Sequence, residues 1–194
     1  MNNAYDSIAE DWHASRTGFS ARKYVDIVVS KLKPRAKLLD VGCGTGVPIT
    51  RYLIDNGFQV VGIDQSAGML TIARRVLPEA QLIQADICDL ELTEHFAAVI
   101  AWDSVFHIER SHHRAIYRKL CRLLEPGGWL LLSAGGSGDQ GFTSEMFGQS
   151  FFYSGYDPDE TLRLLQGEGF DVEVCEQDDP SSRGHIAIVA RKNG

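Results

Sequence analysis

Short apolar runs alternate with amphipathic stretches for almost the whole length of this chain. Lys37–Gly42, Gln59–Asp64, Ala80–Ala85, Ala97–Asp103 and Gly128–Ala134 are short, several are rich in β-branched residues, and Gly, Pro or Asp bounds each; the pattern predicts buried strands. Between them, Val47–Asn56, Ser66–Leu77 and Ser111–Leu124 carry helical periodicity, with Ser66 and Ser111 expected as N-caps. Gly57 and Pro126-Gly127-Gly128 supply the stops. Strands that alternate with helices pair in parallel under helices on both faces, so the pattern predicts a doubly wound, Rossmann-like α/β fold.

The ends break this rhythm. Residues 4–33 predict two helices, separated by Thr17–Ser20, within an N-terminal helical cap over residues 1–35. Residues 135–156 are rich in Gly, Ser and Phe and read as a long irregular stretch, whose aromatic content disfavours disorder and suits an active-site cover. Asp157–Gly167 then predicts a helix, and Phe170–Cys175 and His185–Arg191 two last strands joined by the polar turn DDPSSRG.

Composition narrows the function. The chain has 194 residues, 44% hydrophobic and 23% charged, which suits one domain over 1–194 with one substantial core. A net charge of −7 disfavours a nucleic-acid partner, because phosphate binding needs a basic surface. No apolar run reaches the length of a membrane span, and MNNAYDSIAEDWHASR does not read as a signal peptide, so a cytoplasmic protein with no membrane partner is expected. Cys43, Cys88, Cys121 and Cys175 lack metal-type spacing and read as reduced thiols; no metal is expected. Oligomeric state is not readable.

The chemistry concentrates at Asp40-Val41-Gly42-Cys43-Gly44-Thr45-Gly46, which leaves a strand and opens a helix. Glycines at every second position let the backbone turn sharply and keep side chains away from a ligand, at the place where open α/β sheets bind nucleotides. The spacing is GxGxG; the dinucleotide pattern GxGxxG fails because residue 47 is valine. Asp64, at the end of the next strand, can accept hydrogen bonds from ribose hydroxyls. Asp86 follows the third strand at its tip, and Leu124–Trp129 forms a tight turn into the fifth.

On LLDVGCGTG, VVGIDQSAGML, QADICDL and LLEPGGWLLLS, in that order, the chain resembles the class I S-adenosylmethionine-dependent methyltransferases. The resemblance covers most of the chain. It implies a seven-stranded, mostly parallel sheet whose antiparallel last strand lies inserted beside the sixth, and S-adenosyl-L-methionine as cofactor, with S-adenosyl-L-homocysteine as product. It further implies that Asp40, Gly42, Cys43, Gly44 and Gly46 form the loop at the methionine portion. Asp64 would hold the ribose, Gln65 and Met69 would flank the adenine, and Asp86 with Ile87 would meet its amine and face. Trp102 and Asp103 would face the methionine end, with Tyr5 or Trp12 of the leading segment YDSIAEDW covering the cofactor.

His107, four residues beyond Asp103, is the candidate general base, since its ordinary pKa of about 6.5 suits proton removal at neutral pH. A packing histidine is the competing reading. His112 and His113 open a helix, and one of them is expected at the surface. Glu145, Tyr153 and Tyr156 are candidates for substrate contact, although the aromatics could simply pack the cover down. The stretch before Asp157 is nearly uncharged, with Asp139 and Glu145 its acidic residues, which favours a small, partly apolar methyl acceptor. WDSV stands where the family's Asn/Asp-Pro-Pro-aromatic tetrad for planar amines would be, which disfavours adenine or glutamine methylation. Three alternatives stay open: a non-catalytic S-adenosylmethionine-binding module or partner subunit, a nicotinamide-dependent oxidoreductase, and an RNA methyltransferase.

Overall fold

The computed structural model describes residues 4–135, 138, 140–179 and 184–194. Two helices, α1 (Ala4–Ser15) and α2 (Arg22–Val29), precede the alternating section β1 (Lys37–Val41), α3 (Ile49–Asp55), β2 (Gln59–Asp64), α4 (Ala67–Val76), β3 (Gln81–Gln84), β4 (Phe96–Ala101), α5 (Arg110–Leu123) and β5 (Leu124–Ala134). A hairpin of β6 (Phe142–Met146) and β7 (Gln149–Tyr153) follows, then α6 (Pro158–Gly167), β8 (Phe170–Asp179) and β9 (His185–Lys192). Seven strands form one sheet in the order β3-β2-β1-β4-β5-β9-β8. β9 runs antiparallel between β5 and β8, as the family resemblance implies.

Burial explains the strand patterns. The central parallel strands are covered on both faces, so β4 reads as a continuous apolar run with Ala98 to Ala101 wholly inaccessible. Edge strand β8 alternates half-buried and exposed positions beyond the buried Phe170, because only one of its faces meets the core. Ile116, Tyr117 and Leu120 of α5 and Leu165 of α6 pack into one apolar cluster of the sheet, while Tyr24, Val25 and Val28 of α2 and Leu53 of α3 pack into the other. Each such fully buried side chain contributes about 1.5–3 kcal/mol.

Helix α1 packs chiefly on α4. Ala9 packs on Met69 and Ile72, and Asp6 Oδ1 accepts from Ser66 Oγ at 2.6 Å and from the Gly68 amide at 2.8 Å. Ser66 caps α4 as expected, accepting from the Met69 amide. The carboxylate of Asp6 adds a negative charge at the positive end of that helix.

Two expectations are corrected. Ser111 does not cap α5, which begins at Arg110 without a side-chain cap of its own. The Arg110 amide instead donates to Ser154 Oγ at 3.0 Å, a partner from beyond the hairpin. The irregular cover expected over 135–156 is largely a paired hairpin, with Phe142 opposite Tyr153 and Met146 opposite Gln149. Its two-residue connection, Phe147-Gly148, has positive φ at both positions (50° and 72°), the geometry whose twist matches that of the flanking strands. Asp139 and residues 180–183 of the polar turn lie outside the described residues. No helix among the described residues is long and apolar enough to cross a membrane.

Candidate active site

The turn after β1 is built as its glycines require. Gly42, Gly44 and Gly46 have φ values of 74°, 55° and 75°, in the left-handed region that side-chain-bearing residues avoid. A Cβ on Gly42 would lie 2.5 Å from Ser104 Cβ, whereas one on Gly44 would have only Trp12 Nε1 nearby, at 3.8 Å. Gly44 therefore opens towards a ligand, and Gly42 lets the β1 turn and the segment after β4 close on each other. Gly46 is different from its expected role: a Cβ there would meet Leu77 Cδ1 at 2.2 Å, and the residue does not line the cavity. It serves helix packing, because the chain has already turned back over the sheet.

Below this turn Asp40 is almost wholly buried and accepts from Thr50 Oγ1 at 2.5 Å. Burial pushes its carboxyl up to about 7, and the Thr50 bond only partly opposes this. Asp64 stands at the end of β2 with Oδ2 accepting from the Gly44 amide and Oδ1 from the Ser66 amide, both at 2.8 Å. Burial raises its pKa against these two bonds. Cys43 lies beside them with its thiol raised well above the ordinary value by burial, which is unsuited to a nucleophile.

A cavity of about 320 Å³ opens over this turn, with Gly42, Gly44, Asp64, Gln65, Met69 and Asp86 along it. Cys43, Ile87, Trp102 and Asp103 also line it, and Tyr5, Trp12 and Arg16 of the N-terminal segment form its cover. The Arg16 guanidinium stacks over the Trp12 ring at 3.5 Å. Ser104 Oγ, at the foot of the cavity, is buried with no hydrogen-bond partner among the described residues. An acidic group at a strand tip, an open glycine turn and an unsatisfied buried hydroxyl fit an adenosyl cofactor with an amino-acid tail.

A second cavity of about 350 Å³ adjoins the first, enclosed by Phe106, Met146, Tyr153, Asp178, Asp179 and His185. Tyr5, Trp12, Ser20, Trp102, Asp103 and His107 line both cavities and so surround their junction. His107 sits on a short 3-10 turn, Val105–His107, after β4. Its Nδ1 lies 2.9 Å from the Phe152 carbonyl, which can only accept, so the ring proton is on Nδ1. Nε2, 2.8 Å from Tyr5 Oη, then accepts from that hydroxyl. Burial lowers the His107 pKa and raises that of Tyr5, so both are neutral at pH 7.

Of the two candidates for substrate contact, Tyr153 lines the second cavity and Glu145 does not. In β6 alternate residues face opposite sides: Met146 faces the cavity, and Glu145, with Thr143, is exposed. Tyr156 lies against His113 and Arg110, away from both cavities. His113 is buried and bonded to the Ile108 carbonyl, and His112 is at the surface.

Sequence reasoning missed Arg16, Ser104, Phe106, Asp178 and His185. His185 Nε2 lies 3.0 Å from Asp103 Oδ1, and its Nδ1 2.5 Å from Asp178 Oδ1. Burial alone would lower its pKa, yet the two carboxylates carry it to about 9, so the ring is an imidazolium at neutral pH. β8 and β9 bring these residues in from the far end of the chain, and no local pattern marks them.

Residues 38–128 match the family described as Methyltransferase domain. This match spans just under half of the chain, and the strand order and the glycine turn agree with the resemblance to the class I S-adenosylmethionine-dependent methyltransferases. The chain is 36% identical over 110 residues to a dTDP-3-amino-3,4,6-trideoxy-alpha-D-glucopyranose N,N-dimethyltransferase of Streptomyces venezuelae, which covers 56% of this chain and 46% of that protein. The chain spans about half, or less, of the length of the curated relatives it matches. Among solved structures, an S-adenosylmethionine-dependent methyltransferase of Clostridium acetobutylicum superposes with a TM-score of 0.77 at 16% identity, covering 99% of this chain and 100% of the other. A 1,6-didemethyltoxoflavin-N1-methyltransferase of Burkholderia thailandensis gives 0.75 at 19% identity, covering 98% and 85%.

Proposed function

We propose that this protein transfers the methyl group of S-adenosylmethionine to a small-molecule acceptor. The observation that carries the reading is the pair of adjoining cavities, one over the glycine turn and one under the hairpin, which share a wall of six residues. A two-substrate transfer needs this arrangement, with the reacting groups meeting at the junction and water kept out.

Bound S-adenosylmethionine supplies a sulfonium-activated methyl group, so the chain's work is chiefly to place the acceptor in line with it. Positioning of this kind can lower a barrier by up to about 7–11 kcal/mol. Asp64 holds the ribose hydroxyls, Gln65 and Met69 flank the adenine, and Asp86 with Ile87 meets its edge. Arg16, the cationic side chain over this cavity, pairs with the methionine carboxylate, and Trp12 closes over it. An acceptor that loses a proton gives it to the Tyr5 oxygen while the Tyr5 hydroxyl passes its own to His107 Nε2; the resulting imidazolium keeps its Nδ1–H on the Phe152 carbonyl. The net charge of −7 and the mixed aromatic and polar lining of the second cavity support an enzyme for a small acceptor rather than for nucleic acid.

Calorimetric titration with S-adenosylmethionine, S-adenosylhomocysteine and NAD tests the reading, with an Asp64→Ala variant alongside. Micromolar binding of the first two and not of NAD is expected, weakened at least about tenfold in the variant by loss of paired ribose bonds. Binding of NAD alone, or of none of the three, would refute it.

A further inference from the structure

Asp103 occupies an unusual position. It is one of three residues without a glycine's freedom that the described structure holds at positive φ, here 51°. Three contacts hold it there. Its amide donates to Ser133 Oγ at 2.7 Å, that hydroxyl lies 3.4 Å from its Oδ1, and His185 Nε2 lies 3.0 Å from the same oxygen. The other side of the His185 ring is fixed by Asp178, and Trp102 and Phe106 pack against the ring in T-shaped contacts, with centroids 5.5 and 5.7 Å away. His185 is thus clamped at both nitrogens, and Asp103 is clamped by His185. Strained backbone held by this many partners is a feature of functional positions.

Of the six residues that surround the junction of the two cavities, Asp103 alone carries a formal charge at neutral pH, His107 being neutral. The cofactor's methyl group must lie at that junction to reach an acceptor in the second cavity. Transfer removes a positive charge there, because the sulfonium becomes a neutral sulfide when its methyl group leaves. We propose that Asp103 is the residue by which the site distinguishes the sulfonium cofactor from its sulfide product, and that His185, anchored by Asp178, is the positioning residue that holds Asp103 in place to do so. This rests on the S-adenosylmethionine reading above and adds a consequence to it: the site releases its grip on the cofactor as the reaction completes, which favours product release.

Other charges face this cluster. Asp179 lines the second cavity beside His185, and Arg16 and Tyr5 lie on the Asp103 side. The Arg16 guanidinium opposes the Asp103 carboxylate, so the discrimination is modest, about five- to tenfold for one charge pair near solvent.

Calorimetry on the whole chain with S-adenosylmethionine, S-adenosylhomocysteine and adenosine tests the proposal, using Asp103→Asn, His185→Ala, His185→Gln and Asp178→Asn. The wild type should bind the sulfonium about five- to tenfold more tightly than the sulfide, and Asp103→Asn should bind both alike with its adenosine affinity intact. His185→Ala should also lose the preference, whereas His185→Gln, which keeps one donor towards Asp103, should restore part of it. If His185 merely cancelled charge, removing it would strengthen the preference instead, so an increase in His185→Ala overturns the positioning role. The wild-type preference should fall between about pH 8 and pH 10 as the ring loses its second N–H, and Asp178→Asn should move that fall to lower pH. Equal binding of sulfonium and sulfide by the wild type overturns the discrimination while leaving the cofactor reading standing. Failure of both to bind overturns the cofactor reading itself. Should His185→Ala not fold, Asp178→Asn gives the same decision through the pH dependence, and His185→Gln, with no ring to titrate, should lack the fall altogether.

Discussion

Asp40 shows how one residue can serve a site and burden the fold. Its carboxyl, buried with a single hydroxyl partner, has a pKa of about 7 against 3.8 when exposed. The folded state therefore binds a proton more readily than the unfolded one between about pH 4 and pH 7, and stability falls as pH rises through that window. Asp40→Asn keeps an acceptor for Thr50 and carries no charge. It should be more stable than the wild type at pH 8, by on the order of 2–4 kcal/mol, and equal to it near pH 4 in urea denaturation. The Tyr5–His107 pair gives a second prediction at this scale. His107→Ala should slow single-turnover methyl transfer to a proton-bearing acceptor by about 10²–10⁴-fold, with cofactor affinity changed by no more than about twofold. An unchanged rate would mean that solvent takes the proton. His107 was legible as a residue after the fourth strand; its partner, 102 positions away, was not.

At the scale of elements, the turn after β1 and the hairpin set the two cavities. Gly42→Ala would combine a positive φ with a 2.5 Å approach to Ser104 Cβ, where neither the backbone nor the neighbour yields easily. It should cost about 1–3 kcal/mol in thermal denaturation and weaken S-adenosylhomocysteine binding. In α6, Asp157 accepts from the Glu160 amide at 2.8 Å with Pro158 at the first helical position, so Asp157→Ala should cost about 1 kcal/mol without touching binding. The α4 cap was readable from Ser66 because capping is local. The α5 cap was not, because its partner is Ser154. The hairpin was missed because Gly and Ser masked an alternation that the Phe147-Gly148 turn makes possible.

Across the whole molecule, α1 lies outside the sheet. It packs on α4 and the hairpin, is tied through Tyr5 to His107 after β4, and carries Tyr5 and Trp12 to the cavity wall. Asp6→Ala removes the bonds to Ser66 Oγ and the Gly68 amide that hold it. Hydrogen exchange should show α1 opening more readily in this variant than β1, β4 and β5, and cofactor should slow that opening. Saturation with cofactor at about 100 times Kd should stabilise the chain by about 2.7 kcal/mol.

The sequence by itself determined what is local or periodic. The period of the apolar residues separated strands from helices, the alternation of elements set the parallel sheet, and Asp40–Gly46 with Asp64 marked the turn over which the first cavity opens, because a glycine turn and a strand-tip carboxylate act over a few residues. Only the tertiary structure decided what faces what. It turned Gly46 towards Leu77, put Glu145 on the outer face of its strand, and joined Tyr5 to His107 and Asp178 through His185 to Asp103. Those pairings depend on which strand ends lie side by side. In this chain the order β5-β9-β8 carries residues from the last tenth of the sequence to the centre of the site, a placement fixed by long-range burial rather than by any neighbouring residue.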